Sequence, residues 1–575
     1  ANKGEIDDTK AHRRTTMVTR LFGTLTAPIR GLHQAAYLLA ALTFASQLLA
    51  LLRDRIFAGA FGAGETLDLY YAAFKIPDLV FALVASLVSA YVLIPRIAGA
   101  QREETKKLLS QAASFLFIGG GIICAVLAWL MPQMLLVLFP NFVDSPRADE
   151  FVLLARLLLM QPILLGLSGV LASVTQVNRR FLLFALSPIL YNVGIIVGAL
   201  FLYPSMGLSG IGIGVILGSV AHLLINIPVV VGAGVFPFFV VPSPKILMSV
   251  IKQSVPRSLA LSMGAATLFL LTMLAAVTGA GGIAVFALAG NLAAVPLSLI
   301  AASYATAAFP VLAKEMNEGR LEAFAATLAA AARHLIFWSA ILAILTIVMR
   351  AHIVRVVLGT GAFDWDDTRL TAAVLGILAF ALVPQGLVLL AARAFYAAGR
   401  SWMPFVIQIL GLLASVGGAA GTLALARTYP FARDFIEALM RVEGVQGSDI
   451  LFIAFGAMLG YILMGIVALV TLRTVAPGVA GSLVRPIMEG TGAAIVGGTV
   501  AYWTLALMGN IAPLSTLASV LAQGLTAGIV GVVAAAGVLF LLENKEFKDI
   551  CTSLKRFALP KTPIYDPAFN DRTDS

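Results

Sequence analysis

Residues 450–472 read ILFIAFGAMLGYILMGIVALVTL, a run without a single charge. An α-helix rises about 1.5 Å per residue, so a run of this length covers the roughly 30 Å hydrocarbon core of a bilayer. A helix on the surface of a soluble core would keep a polar face, and this one has none. Outward from it in both directions, comparable runs recur at approximately 34–60, 68–95, 108–138, 150–177, 181–203, 208–236, 247–278, 282–312, 322–349, 369–398, 402–426, 483–508 and 513–542. The 575 residues are 60% hydrophobic and 12% charged. The expected fold is therefore all-α, a polytopic membrane protein of about fourteen transmembrane helices.

Charge is sparse and sided. Loops after odd-numbered spans carry Glu65, Asp144, Asp149, Asp364, Asp366 and Asp367. Loops after even-numbered spans carry Arg96, Arg102, Lys106, Lys107, Arg179, Arg180, Lys245, Lys252, Lys314, Arg320, Arg400, Arg473 and Arg485. Basic residues are retained in the cytoplasm, so both termini are expected there. The tails agree: Lys3, Lys10, Arg13, Arg14, Arg20 and Arg30 precede the first span, and Lys545, Lys548, Lys555, Arg556 and Lys561 follow the last. The net charge of +10 thus points to membrane lipids as partners and away from nucleic acid. No charged n-region with a short apolar core and cleavage site is visible, so no removable signal peptide is expected. Met17–Ile29 has one apolar face and is expected to lie along the membrane interface. The loop 427–449 breaks the charge rule with Arg427, Arg433 and Arg441. There Phe431, Phe435 and Leu439 recur every fourth residue, which predicts a short amphipathic helix, either on the outer surface or as a cap over the mouth.

Two stretches repeat. Phe142 and Phe363 lie 221 residues apart and Pro162 and Pro384 lie 222 apart, each pair flanked by an acidic loop and a basic turn. That period equals six spans, an even number, so the copies have the same orientation and form parallel repeats. The expected organisation is two parallel six-helix repeats plus two extra C-terminal helices. In order, it comprises a cytoplasmic tail (1–33), a first lobe (34–236), the first part of a second lobe (237–426), the outer loop (427–449), that lobe's last span (450–472), two further helices (473–542) and a second cytoplasmic tail (543–575).

Catalytic chemistry is missing. The two cysteines and five histidines have no metal-ligand spacing, and no phosphate loop, nucleophile elbow or carboxylate pair is present. No metal, cofactor or enzyme activity is expected; a transporter of this kind would draw on gradients, membrane potential or its substrate. The informative residues are charges inside apolar runs, which usually face a partner or a wet cavity because hydrocarbon is costly for them. Arg53-Asp54-Arg55 sits deep in span 1, and it either faces such a cavity or snorkels to the outer interface. Arg53 or Arg55 is expected to pair with Asp54 or Asp68. Lys75-Ile76-Pro77-Asp78 lies within span 2, where proline bends the helix. Lys75 and Asp78 share one face, either as a self-neutralised pair or with Lys75 joining Arg53 in a cationic patch suited to diphosphate. The candidate substrate-binding residues are Arg53, Asp54, Arg55, Asp68, Lys75 and Asp78.

These residues resemble the MurJ/MviN family of lipid II flippases, within the multidrug/oligosaccharidyl-lipid/polysaccharide exporter superfamily. The likeness is carried by Leu51-Leu52-Arg53-Asp54-Arg55, Phe61-Gly62-Ala63-Gly64, Asp68, and Tyr71 to Pro77. Gly361-Ala362-Phe363-Asp364, Asp367-Thr368, Arg393 to Ala397 and Pro404 add to it. The resemblance implies two six-helix bundles that alternate access, with the last two helices forming a groove for a lipid tail. It also implies an undecaprenyl-diphosphate-linked peptidoglycan precursor as cargo in the bacterial inner membrane, with cell-wall synthesis proteins as candidate partners. It places Arg53 and Asp68 at cavity positions. Three positions where the family has arginine hold Gln47, Phe81 and Asn291 here, and Ala85-Ser86-Leu87-Val88 replaces an acidic-glycine motif. Span 7 has no carboxylate and span 11 mainly Gln408, so a sodium site does not carry over. Two alternatives stay open: an exporter of other polyprenyl-linked saccharides or of cationic drugs, and a transport-inactive scaffold whose basic tails recruit partners.

Overall fold

The computed structural model describes residues 32–511 and 516–558, and no strand occurs among them. Most of both predicted tails, and the interfacial segment Met17–Ile29, lie outside the described residues. The chain begins with α1 (Leu32–Phe61), α2 (Glu65–Ile97), α3 (Arg102–Leu138), α4 (Ala148–Val177), α5 (Phe181–Met206) and α6 (Leu208–Gly232). It continues through α7 (Pro244–Ala276), α8 (Gly282–Asn317), α9 (Leu321–Val357), α10 (the bent pair Trp365–Ala379 and Leu382–Ala397) and α11 (Met403–Thr428). After the short α12 (Pro430–Met440) come α13 (Ile450–Leu472), α14 (Val484–Ile511), α15 (Leu517–Leu541) and α16 (Lys545–Ala558). Helices thus stand at every predicted span. Among the described residues, 12 are long and apolar enough to cross a membrane, or up to 13 when the bent α10 is one span. The 30-residue α1, whose side chains are described only in part, occupies the remaining predicted position.

Three breaks in these helices have one cause. Proline has no N–H, and its ring crowds the carbonyl four residues earlier. Pro77 breaks α2 after Ala73, Pro162 breaks α4 after Leu158, and Pro384 bends α10 by 49° after Ala379. The last two are the repeat-related prolines, so both copies share the same joint.

Helix pairing repeats as well. In the first half α5 packs on α6 and on α1; in the second half α11 packs on α13 and on α7. The extra helices α14 and α15 pack on each other and on α9. In a bilayer, close packing has to come from shape, and small residues let backbones approach. At the α5–α6 crossing, a Cβ on Gly198 would lie 2.7 Å from Gly214 Cα. Gly214→Leu is expected to force this pair apart, at roughly 1–3 kcal/mol. Thermal unfolding in detergent should show a clear fall in midpoint. Gly169→Leu, where nothing lies within 4 Å, should leave it unchanged; equal effects would remove the crossing from the argument.

Two predicted surface segments take definite form. In α12, Arg433 pairs with Glu437 at 2.8 Å and reaches Ser448, while Phe431, Phe435 and Leu439 are exposed. It is a surface helix, and the loop after it (Gly444–Gly447) lines a polar cavity with Ala63, Gly281 and Asp367. The segment after α15, read from sequence as a water-exposed tail, begins as a pinned helix. Asn544 donates to Glu489 on α14 at 2.7 Å, and Glu546 pairs with Arg333 on α9 at 2.8 Å. Below, the membrane face bearing Arg96, Arg179 and Arg320 is the basic face, and that bearing Asp144, Asp364 and Asp366 is the acidic face.

Candidate functional site

The two halves are sewn together at the acidic face by helix ends. Asp68 on α2 is buried, and its carboxylate accepts from Gly281 N (2.6 Å) and Ala284 N (2.7 Å) at the start of α8. An N-terminus has orphan N–H groups and a positive dipole end, so a carboxylate suits it. Arg55 makes the complementary contact, donating to Val356 O (2.7 Å) and Val357 O (3.2 Å) at the end of α9. Asn141 donates to Ala276 O at the end of α7, 2.8 Å away. Backbone ties add to these: Ala362 N to Gly59 O at 2.9 Å, and Ala63 N to Asp367 Oδ2 at 2.9 Å. Gly62 and Gly361, both at positive φ, allow the two turns to touch.

The sequence names Asp68 and Arg55 as candidate substrate contacts; in this structure both side chains bond helix ends of the opposite half. A buried helix terminus must find partners, and a charged side chain supplies them best. Asp68→Ala would leave two buried amides unsatisfied, a cost of about 1–3 kcal/mol. The expected result is a looser acidic face. A cysteine at Ala63 (A63C) should react faster with an impermeant maleimide in the Asp68→Ala background; an unchanged rate would show that the seam holds without Asp68.

Below the seam lies the charge cluster. Arg53 contacts Asp54 Oδ1 through Nη2 (2.7 Å) and Nε (3.0 Å), and its Nη1 donates to Asn192 Oδ1 on α5 at 3.1 Å. Asp54 Oδ2 accepts from Asn291 on α8 at 3.0 Å, so the cluster bridges the halves. The Arg53 side chain keeps 17% of its surface open. Tyr70, Tyr71 and Tyr191 surround it within electrostatic reach, and the buried Tyr71 hydroxyl has no hydrogen-bond partner. Arg53 therefore lies at the junction of the halves, bonded to groups within the protein.

Lys75 and Asp78 share the second segment of α2, yet no ion pair joins them among the described residues, although each senses the other's charge. The predicted self-neutralised pair is not formed; Asp78 is exposed near Tyr191.

Gln47 on α1 donates to Ser298 on α8 at 3.4 Å, beside a π-helical turn at Leu297–Ala302. Contacts of α1 with α8 concentrate in Gly282–Pro296, and Thr43, Phe44, Ser303 and Thr306 nearer the basic face are exposed. An apolar cavity of about 240 Å³ adjoins this seam, between Leu51, Leu292, Leu299, Leu342 and Ile353. The second half contributes Arg257 on α7 and Arg393 on α10. Both act on the Tyr396 hydroxyl, and Arg393 lies over the Phe309 ring at 5.8 Å. Arg257 escaped the sequence reading, though an arginine directly after Pro256 in an apolar run is the same signal that marked Arg53. Gln47 and Asn291 were read as lost cations, whereas here both hold α1 to α8.

A family model described as lipid II flippase MurJ matches residues 57–432. The lipid II flippase MurJ of Burkholderia cenocepacia is 24% identical over 394 residues, covering 66% of this chain and 76% of that protein. The probable lipid II flippase MurJ of Thermotoga maritima is 24% identical over 415 residues, covering 70% and 83%. Among solved structures, lipid II flippase MurJ in an inward closed conformation superposes with a TM-score of 0.70 at 18% identity, covering 88% of this chain and 100% of that one. An inward-facing multidrug resistance MATE family transporter of the MOP superfamily gives 0.60 at 17% identity, covering 76% and 95%. At these identities the structural likeness shows the fold.

Proposed function

The chain belongs to the lipid II flippase MurJ family, and on that premise we propose that it carries lipid II from the inner to the outer leaflet of the bacterial inner membrane by alternating access. The basic face and both termini lie in the cytoplasm in this reading. The observation that supports it most is the Arg53–Asp54 pair, which bridges the two halves beneath a sewn acidic face. A diphosphate offers Arg53 a bidentate partner with more charge than Asp54 has, and such charge-assisted bonds are the strong ones. Taking Arg53 from Asp54 also disturbs the Asp54–Asn291 tie between α1 and α8. Cargo capture is thereby coupled to separation of the halves. Arg257 and Arg393 add positive charge in the second half, around Tyr396. The apolar cavity at the α1–α8 seam, next to α9 and its partners α14 and α15, gives the first prenyl units a path that avoids water.

Gln47 and Asn291, amides where the resemblance expects arginines, favour a second cargo, another polyprenyl-diphosphate-linked saccharide. One experiment separates the two. In a strain dependent on this protein, labelled lipid II should become accessible at the outer leaflet, and stop doing so on depletion. Accessibility that persists after depletion would sink the reading; a parallel assay with an undecaprenyl-diphosphate oligosaccharide tests the second.

A further inference from the structure

The connection between the halves is not a loose loop. From Val235 to Ser243 the chain is non-helical and runs along α3, three of its amides held by side chains: Phe238 N donates to Ser110 Oγ (3.1 Å), Val240 N to Ser114 Oγ (3.0 Å) and Ser243 N to Gln111. Ser114 stands twelve residues into α3, about 18 Å along its axis, so this strap dips to membrane depth. Non-helical backbone there must find partners within the protein, which explains the three polar residues on one side of α3.

The strap borders two adjoining cavities. The deeper, about 250 Å³, is apolar and lined by Phe117, Leu167, Leu171, Leu223, Phe236 and Phe239 among others; the Phe117 and Phe239 rings meet edge-on at 5.0 Å and are exposed. The shallower, about 200 Å³, lies toward the basic face and includes Arg102, Thr105 and Asn178. Arg102 Nε donates to Gly234 O at 3.0 Å, and Gly234 sits at φ +67°, where a residue with a Cβ would be strained. Lys106 Nζ stands 5.2 Å from the Phe238 ring centre, and Lys107 is exposed beside it. Of the charges on this turn Arg102 lines the shallower cavity and Lys106 reaches the groove through Phe238, while Glu103, Glu104 and Lys107 line neither cavity.

Cations at the membrane surface above an aromatic groove match one class of molecule in shape and charge. We propose that this is a binding site for an anionic phospholipid of the leaflet at the basic face, its phosphate at Arg102 and Lys106 and one acyl chain under the strap. The site is separate from the Arg53–Asp54 cluster, and the proposal does not depend on the transported cargo.

Native mass spectrometry of the detergent-purified full chain, with equimolar phosphatidylglycerol and phosphatidylcholine of matched chains, tests it. Phosphatidylglycerol should be retained in preference. Arg102→Gln with Lys106→Gln should lower that preference by about fivefold for each cation, while Lys106→Arg should keep it. Ala113→Trp, which fills the groove, should release both lipids without lowering the unfolding midpoint. An unchanged preference in the double glutamine variant, phosphatidylglycerol retained by Ala113→Trp, or an added polyprenyl diphosphate displacing it there would each overturn the proposal.

Discussion

Arg53→Ala is expected to abolish rescue of cells depleted of their own flippase, although the protein still reaches the membrane. Two losses combine. The cargo loses a bidentate, charge-assisted contact of about 1.5–3 kcal/mol, and each 1.4 kcal/mol is a factor of ten. Asp54 also keeps a buried charge with only Asn291 to answer it, and breaking such a pair costs about 3–5 kcal/mol. Because the second term could destabilise the protein rather than its function, Arg53→Lys and the double variant Arg53→Ala/Asp54→Asn are measured beside it. Lysine keeps the charge without the planar fork and should rescue weakly. The double variant removes the orphaned charge, so its unfolding midpoint should recover while rescue stays absent. Full rescue by Arg53→Ala, with membrane levels matched by immunoblot, would take Arg53 out of transport.

Cross-linking the acidic face should be equally severe. Gly59 packs directly against the Thr360–Ala362 turn, Ala362 N donating to Gly59 O at 2.9 Å and a Cβ on Gly59 meeting the Thr360 side chain, so positions 59 and 360 are close enough to cross-link once both carry cysteine. In the G59C/T360C pair, oxidation should halt the appearance of labelled lipid II at the outer leaflet, and reduction should restore it. Either single cysteine should be indifferent to oxidant. The reason is geometric: if the cargo leaves between the halves on this side, Gly59 and Thr360 must part in each cycle. Transport that continues with the bond formed would show that the seam stays closed, and alternating access through it would be wrong.

The sequence placed the helices well because membrane insertion is priced residue by residue. Span 12 was read at 450–472 and α13 occupies the same residues. Proline breaks were equally legible, since the ring acts on a carbonyl four residues away in the same helix. Arg53 and Asp54 stood out because each costs free energy in hydrocarbon wherever the chain goes next. Partner choice was not legible. Asp68 and Arg55 carry the same signal as Arg53, yet one caps α8 and the other α9, over 200 residues away.

What the amino-acid order determined by itself was therefore local and additive: which segments enter the bilayer, where they bend, and which positions hold a charge needing an answer. What the tertiary structure alone decided was who answers it. Asn192 and Asn291 meet the Arg53–Asp54 pair from 139 and 237 residues away, and Gln47 meets Ser298 from 251. Those distances along the chain vanish only when two six-helix groups face each other, because a hydrogen bond depends on ångströms in space and carries no trace in the sequence between its ends.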